Sequence, residues 1–247
     1  MSAPPRMAAL AGWGHRAAAW DGLAAAGLAL DARALPGHEP GDPTAPGACT
    51  LRAAAERMAG EWDLLMGWSL GGLAVLEALR RGLARARGLV LIATPPAFLA
   101  GPGYPAGMDR AVYARFREGL AQDAPATLRR FYTLQFHNDG APRSAWAPAG
   151  RRDRCLALTA DPAVLGAWLD ILGGTDLTAQ PPALARPTLV IQGGADPVVA
   201  PEAADFLAGC GPRVAVHRIP GAGHAPHIAH PQETGERIAR FAHDLLG

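Results

Sequence analysis

The sequence predicts an α/β fold: a mostly parallel central sheet flanked by helices, with a helical cap inserted into it. Three observations carry that expectation. The stretch Leu65-Met66-Gly67-Trp68-Ser69-Leu70-Gly71-Gly72 joins a short apolar run, Asp63–Met66, to a helical run, Leu73–Leu79, so strand, sharp turn and helix succeed one another within a few residues. Leu89–Ala93 and Pro187–Gly194 read as strands buried on both faces, apolar rather than alternating. Between them, residues 98–175 show helical periodicity and no convincing strand. Strands alternating with helices imply βαβ units and a parallel sheet. The expected division is a core of 1–97 and 176–247 with the cap at 98–175, over the strand ends where open α/β sheets bind ligands.

Taken in order, Met7–Ala11 is the first strand, ending in Gly12-Trp13-Gly14. A helix over His15–Ala26 carries Trp20 and Leu23 on one face, and Leu28–Leu30 reads as the second strand. The Pro- and Gly-rich segment 39–47 is loop, and Thr50 caps a helix running to about Gly60. Within the cap, helices are expected at Asp109–Ala121, Pro125–His137 and Pro162–Leu172. Val214–Ile219 is the last strand and Pro231–Leu246 the last helix.

Composition narrows the function classes. A chain of 247 residues has room for one α/β domain with an insertion, or at most two domains. A formal charge of +1 gives no bias toward nucleic acid or an anionic membrane. Every basic residue is Arg, a pattern of coding bias in a chain so rich in Ala, Gly and Pro. The three cysteines, Cys49, Cys155 and Cys210, are widely spaced and odd in number, which argues against a metal site or a disulfide framework and for a reducing, cytoplasmic setting. No signal peptide and no membrane-length apolar run is apparent.

The strand–turn–helix context makes Gly67-Trp68-Ser69-Leu70-Gly71 a candidate nucleophile elbow, with Ser69 at its tip. Gly67 and Gly71 flank it because a β-carbon there would strike neighbouring backbone. The alternative is an ordinary turn with Ser69 as N-cap. A serine hydroxyl needs a base held by a carboxylate, in the chain order Ser, acid, His. Asp196, in the loop after the strand Leu189–Ile191, is the candidate acid; Asp170 and Asp176 compete. His224, in a Gly-rich loop after the last strand, is the candidate base, with His227 and His230 nearby. The oxyanion donors are expected from the backbone N–H groups of Leu70 and Trp13, whose indole also walls an acyl pocket. Nucleophile, base and oxyanion donors are then all protein groups, so no cofactor or metal is implied.

The elbow, the Gly12-Trp13-Gly14 loop and Gly223-His224-Ala225-Pro226-His227-Ile228-Ala229-His230-Pro231 together resemble the α/β-hydrolase superfamily. More narrowly, Trp68 with the cap segments Arg130–Gln135 and Leu169–Leu177 is similar to the pimeloyl-[acyl-carrier protein] methyl ester esterases of biotin synthesis. The resemblance implies a serine carboxylesterase acting on a carrier-linked methyl ester. It implies Ser69, Asp196 and His224 as triad and Phe131 beside Trp13 at the acyl chain. It also implies cap arginines gripping an acidic carrier protein, Arg130 and Arg143 falling at matching places and Ala126 and Ala147 standing at two others. Residues 98–154 hold nine Arg and five acidic residues, a basic surface suited to such a partner or an ordinary solvated face. Three departures stand out: the fold's opening strands are missing, Ala11 replaces a His before the oxyanion loop, and the residue before Leu35 is not acidic. Two other readings remain: a generalist short-chain esterase, lactonase or thioesterase, and a non-catalytic binding protein of the same fold.

Overall fold

The computed structural model describes residues 4–146 and 150–247. Six parallel strands form one sheet in the order β2-β1-β3-β4-β5-β6. They are β1 (Met7–Leu10), β2 (Asp31–Arg33), β3 (Gly60–Trp68), β4 (Ala84–Ile92), β5 (Thr188–Gly193) and β6 (Val214–Ile219). β1 and β5 are buried along their whole length, which is why they read as unbroken apolar runs. Helices α1 (Asp21–Ala25), α2 (Leu51–Glu56) and α3 (Leu70–Arg80) connect the first four strands. Five more follow β4: α4 (Arg110–Gln122), α5 (Ala124–Leu134), α6 (Arg143–Trp146), α7 (Arg151–Cys155) and α8 (Pro162–Gly174). The core closes with α9 (Ala203–Ala208), α10 (Pro226–Ala229) and α11 (Pro231–Leu246). No described helix is long and apolar enough to cross a membrane.

Several boundaries differ from the sequence reading, most of them for a local reason. β2 lies at Asp31–Arg33 rather than Leu28–Leu30. Leu28 is taken up by the end of α1: Gly27 turns left-handed (φ +94°), its N–H donates to the Ala24 carbonyl at 3.0 Å, and the Leu28 N–H reaches back to Leu23 at 3.0 Å. The strand itself is a half-exposed edge, so it carries no apolar pattern. The helix capped by Thr50, whose Oγ1 accepts from the Ala53 N–H at 3.0 Å, stops at Glu56. Gly60 (φ +129°) already pairs with Ala84 at the start of β3. β3 and β4 extend beyond their apolar runs through a solvated ladder, where Glu61 faces Arg85 and Asp63 faces Arg87, each pair at 3.7 Å. The expected helix over residues 15–26 opens as a 3-10 turn at Ala17–Trp20 before α1 begins.

The three long inserted helices, α4, α5 and α8, start where aspartates cap them. Asp109 Oδ1 accepts from the Ala111 and Val112 N–H groups at 2.9 and 3.0 Å, Asp123 from Ala126 at 2.9 Å, and Asp161 from Ala163 at 2.8 Å. Proline follows in the first turn of α5 and α8, where no N–H is needed. Two buried indoles tie α8 to loops at the strand ends: Trp13 Nε1 donates to the Leu165 carbonyl at 2.8 Å and Trp168 Nε1 to the Pro36 carbonyl at 2.9 Å. The end of α7 is laced to the loop after β1, with Ala157 N–H to Gly14 O at 3.0 Å and Arg16 N–H to Cys155 O at 2.8 Å.

Candidate active site

Ser69 ends β3 and precedes α3 with φ +55° and ψ −122°, a conformation that L-residues avoid. The turn holds because the chain around it has no room to relax. A β-carbon on Gly67 would stand 2.5 Å from the Gly71 carbonyl oxygen; one on Gly71 would overlap the Leu10 carbonyl, and one on Gly72 the Thr94 hydroxyl. The Ser69 N–H is fixed to the Ile92 carbonyl of β4 at 2.9 Å. Its side chain makes no capping bond to α3, which sets aside the reading of Ser69 as an N-cap. The hydroxyl therefore stands at the N-terminus of a buried helix, where free N–H groups and the positive end of the helix dipole favour negative charge.

Asp196 and His224 meet on the loops after β5 and β6. His224 Nδ1 lies 2.9 Å from Asp196 Oδ2 and 3.2 Å from Oδ1, and both side chains are buried. The carboxylate also accepts from the Val198 and Val199 N–H groups at 2.8 and 2.9 Å and from Gln192 Nε2 at 2.9 Å. Four hydrogen bonds thus hold the buried carboxylate in place, two from backbone N–H groups and one each from the Gln192 and His224 side chains. The histidine loop is fixed by α5 and the turn that follows: His224 N–H donates to Gln135 O at 2.8 Å, and Gly223 N–H to Asp139 Oδ2 at 2.7 Å. Trp68 Nε1 donates to the His224 carbonyl at 3.0 Å, so the residue before Ser69 grips the loop that carries the imidazole.

The loop after β1 runs alongside the elbow, since a β-carbon on Gly12 would lie 3.2 Å from Ser69 Cβ. The backbone N–H groups of Trp13 and Leu70 have no protein acceptor among the described residues. The Trp13 indole lies edge-on to Phe116 and Phe131, at 5.4 and 5.3 Å between ring centres. These three rings, with Val198 from the Asp196 loop and residues of α4, α5 and α8, line a narrow apolar cavity of about 60 Å³ that is partly open to solvent. Larger clefts beside Gly37–Thr44 and beside Gln180–Leu184 touch none of these residues.

The competing residues are engaged elsewhere. Asp170 forms a two-pronged pair with Arg117 at 2.8 Å, which holds its pKa below the carboxylate range, and Asp176 caps a turn at Thr178. His230 pairs with Asp139 at 2.8 Å. His227 is buried between Trp20 and Trp68, 4.7 and 4.6 Å between ring centres, and burial pushes its pKa well down. Arg130 is exposed on α5 and reaches Thr127 at 3.1 Å; Arg143 lies over the Trp146 ring at 5.9 Å; neither lines the cavity. Ala126 sits in the first turn of α5, and Ala147 lies outside the described residues.

Sequence reasoning missed Gln192, Asp139 and His15. Gln192 follows the apolar run of β5 four residues before Asp196, a spacing visible in the sequence but without meaning until the loop folds back. Asp139, in Asn138-Asp139-Gly140, reads as an ordinary turn residue, and its grip on Gly223 spans a separation of 84 positions. His15 is fully buried against Trp68, its Nδ1 2.8 Å from the Trp13 carbonyl, and burial lowers its pKa to about 3.

A model described as the Alpha/beta hydrolase family matches residues 9–237. Pimeloyl-[acyl-carrier protein] methyl ester esterase from Aromatoleum aromaticum is 34% identical over 244 residues, covering 93% of this chain and 94% of that protein. The protein of the same name from Nitrosomonas europaea is 32% identical, covering 93% of this chain and 92% of its own. Among solved structures, an esterase from Exiguobacterium antarcticum superposes with a TM-score of 0.80 at 18% identity, over 97% of this chain and 93% of that one. A bromoperoxidase from Bacillus anthracis does so at 0.77 and 20%, over 96% and 91%. The two structural likenesses speak for the fold alone.

Proposed function

The chain belongs to the alpha/beta hydrolase family and, within it, to the pimeloyl-[acyl-carrier protein] methyl ester esterases, and from that membership we propose that it is a serine carboxylesterase hydrolysing the methyl ester of a pimeloyl-carrier protein. The observation that carries the reading is the buried His224–Asp196 pair on the same sheet edge as a strained, uncapped Ser69. In this reading Ser69 Oγ attacks the ester carbonyl while His224 Nε2 takes its proton. Asp196 holds the Nδ1 proton and favours the imidazolium that forms. The Trp13 and Leu70 N–H groups receive the oxyanion, each such donor being worth about a hundredfold or more in rate. His224 returns the proton to methoxide, methanol leaves, and the acyl group remains on Ser69. Water, deprotonated by His224, then releases the free carboxylate.

The helices of 98–175 serve as a cap over this edge, with the acyl chain in the cavity beneath Phe116 and Phe131. The cap's excess of Arg supports an acidic carrier as partner, with Arg130 and Arg143 among the contacts. The test is methanol release from pimeloyl-carrier protein methyl ester beside p-nitrophenyl butyrate. The proposal expects a kcat/KM for the carrier ester well above that for the small ester. Hydrolysis confined to the small ester would make the protein a generalist esterase instead.

A further inference from the structure

Two buried histidines that the proposed chemistry does not use, His15 and His38, meet at one peptide bond. Residues 12–15 close a tight turn after β1. The His15 N–H donates to the Gly12 carbonyl at 3.3 Å, and Gly14 takes φ +73°, the left-handed value that a type II turn needs at its third position. The peptide between Trp13 and Gly14 is the centre of that turn, and it is held at both ends. His15 Nδ1 lies 2.8 Å from the Trp13 carbonyl, and the Gly14 N–H donates to His38 Nε2 at 3.1 Å. A carbonyl only accepts and an amide N–H only donates, so the two rings need defined tautomers. His15 carries its proton on Nδ1. His38 keeps Nε2 bare and carries its proton on Nδ1, 3.3 Å from the Pro36 carbonyl. Burial lowers the two pKa values to about 3 and about 4, so both rings stay in the neutral form that this pattern requires. His15 Nε2 has no hydrogen-bond partner among the described residues. A polar atom buried in that way costs free energy that an apolar side chain would not, so packing alone does not account for the imidazole.

We propose that His15 and His38 are positioning residues of the oxyanion hole, which fix the Trp13–Gly14 peptide from both sides and thereby aim the Trp13 N–H. Trp13 stands between two peptides. In the first, the Gly12 carbonyl is tied to the His15 N–H, and across a trans peptide the Trp13 N–H points the opposite way. The second is tied by the two imidazoles. With both planes fixed, the backbone dihedrals of Trp13 are fixed too, and its N–H is set before substrate arrives. Such a donor accelerates the reaction because it is preorganised toward the place where charge develops. Without the rings the central peptide is free to turn over, since type I and type II turns differ chiefly in its orientation. The inference rests on the esterase reading and on Trp13 as an oxyanion donor, and it needs no carrier protein.

The experiment measures p-nitrophenyl butyrate hydrolysis by the full chain and by His15→Leu and His38→Leu. Beside them stand His15→Asn, whose amide returns a donor where Nδ1 stood, and His38→Gln, whose amide returns an acceptor where Nε2 stood. A trifluoromethyl ketone reports on the hole itself: its carbonyl carbon takes the Ser69 oxygen, the hydroxyl proton passes to His224, and the carbonyl oxygen becomes the oxyanion. The expected result in each Leu variant is a kcat lower by about tenfold or more with KM within about twofold of the parent, and a ketone Ki raised by the factor that kcat/KM loses. The Asn and Gln variants recover kcat to within about threefold of the parent. A role in folding alone would lower Tm and leave these ratios in place. Leu variants with kcat within about twofold of the parent, a change confined to KM, or a loss that the Asn and Gln variants share in full would overturn the proposal. Should a Leu variant not fold, His15→Gln or His38→Asn, amides of the wrong reach, takes its place with the same loss expected. Failure of the esterase reading looks different: the parent protein would then hydrolyse no ester and bind no ketone.

Discussion

Ser69 holds its hydroxyl at the site at a conformational cost of roughly 1–3 kcal/mol, offset by the packing of three glycines around it. If that strain serves the nucleophile, Ser69→Ala should remove ester hydrolysis by about four orders of magnitude or more and leave the fold in place. Retained activity within about tenfold of the parent would end the assignment. Asp196→Asn should leave the imidazole in the wrong tautomer and lower kcat by about ten-thousand-fold. A pH–rate profile and circular dichroism on the same sample separate that loss from unfolding. The three candidate residues could be picked out in the sequence because each lies in a turn or loop after a strand and the three follow one chain order. The partners that hold those residues could not: Gln135 and Asp139 reach the His224 loop from another element, and no local pattern encodes a contact over more than eighty residues.

At the level of elements, the β3–α3 crossing depends on contact between backbones. Gly71 meets the Leu10 carbonyl of β1, and an added methyl has no flexible side chain to displace. Gly71→Ala should therefore destabilise by the roughly 1–3 kcal/mol typical of overpacking, or more, seen as a lower Tm and a loss of activity with it. A Tm within a degree of the parent would show that α3 can shift on the sheet. The same scale explains which elements the sequence hid. β1, β5 and the inner halves of β3 and β4 are buried and announce themselves, whereas β2 and the outer halves of β3 and β4 are held by ladder bonds and ion pairs that leave no apolar signature. α7, α9 and α10 span only four to six residues each, too short for a helical period to register.

At the scale of the whole molecule, three histidines other than His224 are fully buried among the described residues: His15, His38 and His227. Burial lowers His15 to about 3 and His38 to about 4, and His227 moves the same way. These groups stay neutral in the folded protein, while the unfolded chain takes up protons below about pH 6.5. Their contribution is thus complete above that pH and is lost as the pH falls toward 4 and then 3, by up to about 1.4 kcal/mol per pH unit for each histidine. Tm should drop steeply between pH 6.5 and 4.5, and His15→Leu or His227→Phe should flatten the drop. Parallel curves for parent and variants would exclude the buried imidazoles as its source. Charge acts on the same scale at the surface. Arg130→Glu with Arg143→Glu should slow hydrolysis of the carrier-linked ester, more so at low ionic strength, and leave a p-nitrophenyl ester untouched. Equal effects on both esters would remove the carrier-docking proposal.

The register of β4 with β5, Leu89 against Thr188 through Ile92 against Ile191, ties together segments separated by the five inserted helices. For folding, this one pairing closes a very long loop. The entropy of closure grows only with the logarithm of loop length, so doubling the insertion would cost about 0.6 kcal/mol and halving it would return as little. The rate is another matter, since the pairing cannot form until the chain ends of the insertion meet, and sheets built from such distant partners fold slowly. Closure entropy therefore sets little limit on the length of this segment; what constrains it is the packing of its buried side chains, such as Trp168 and Tyr132, so a change of substrate would most readily arise in the parts of it that leave those contacts in place.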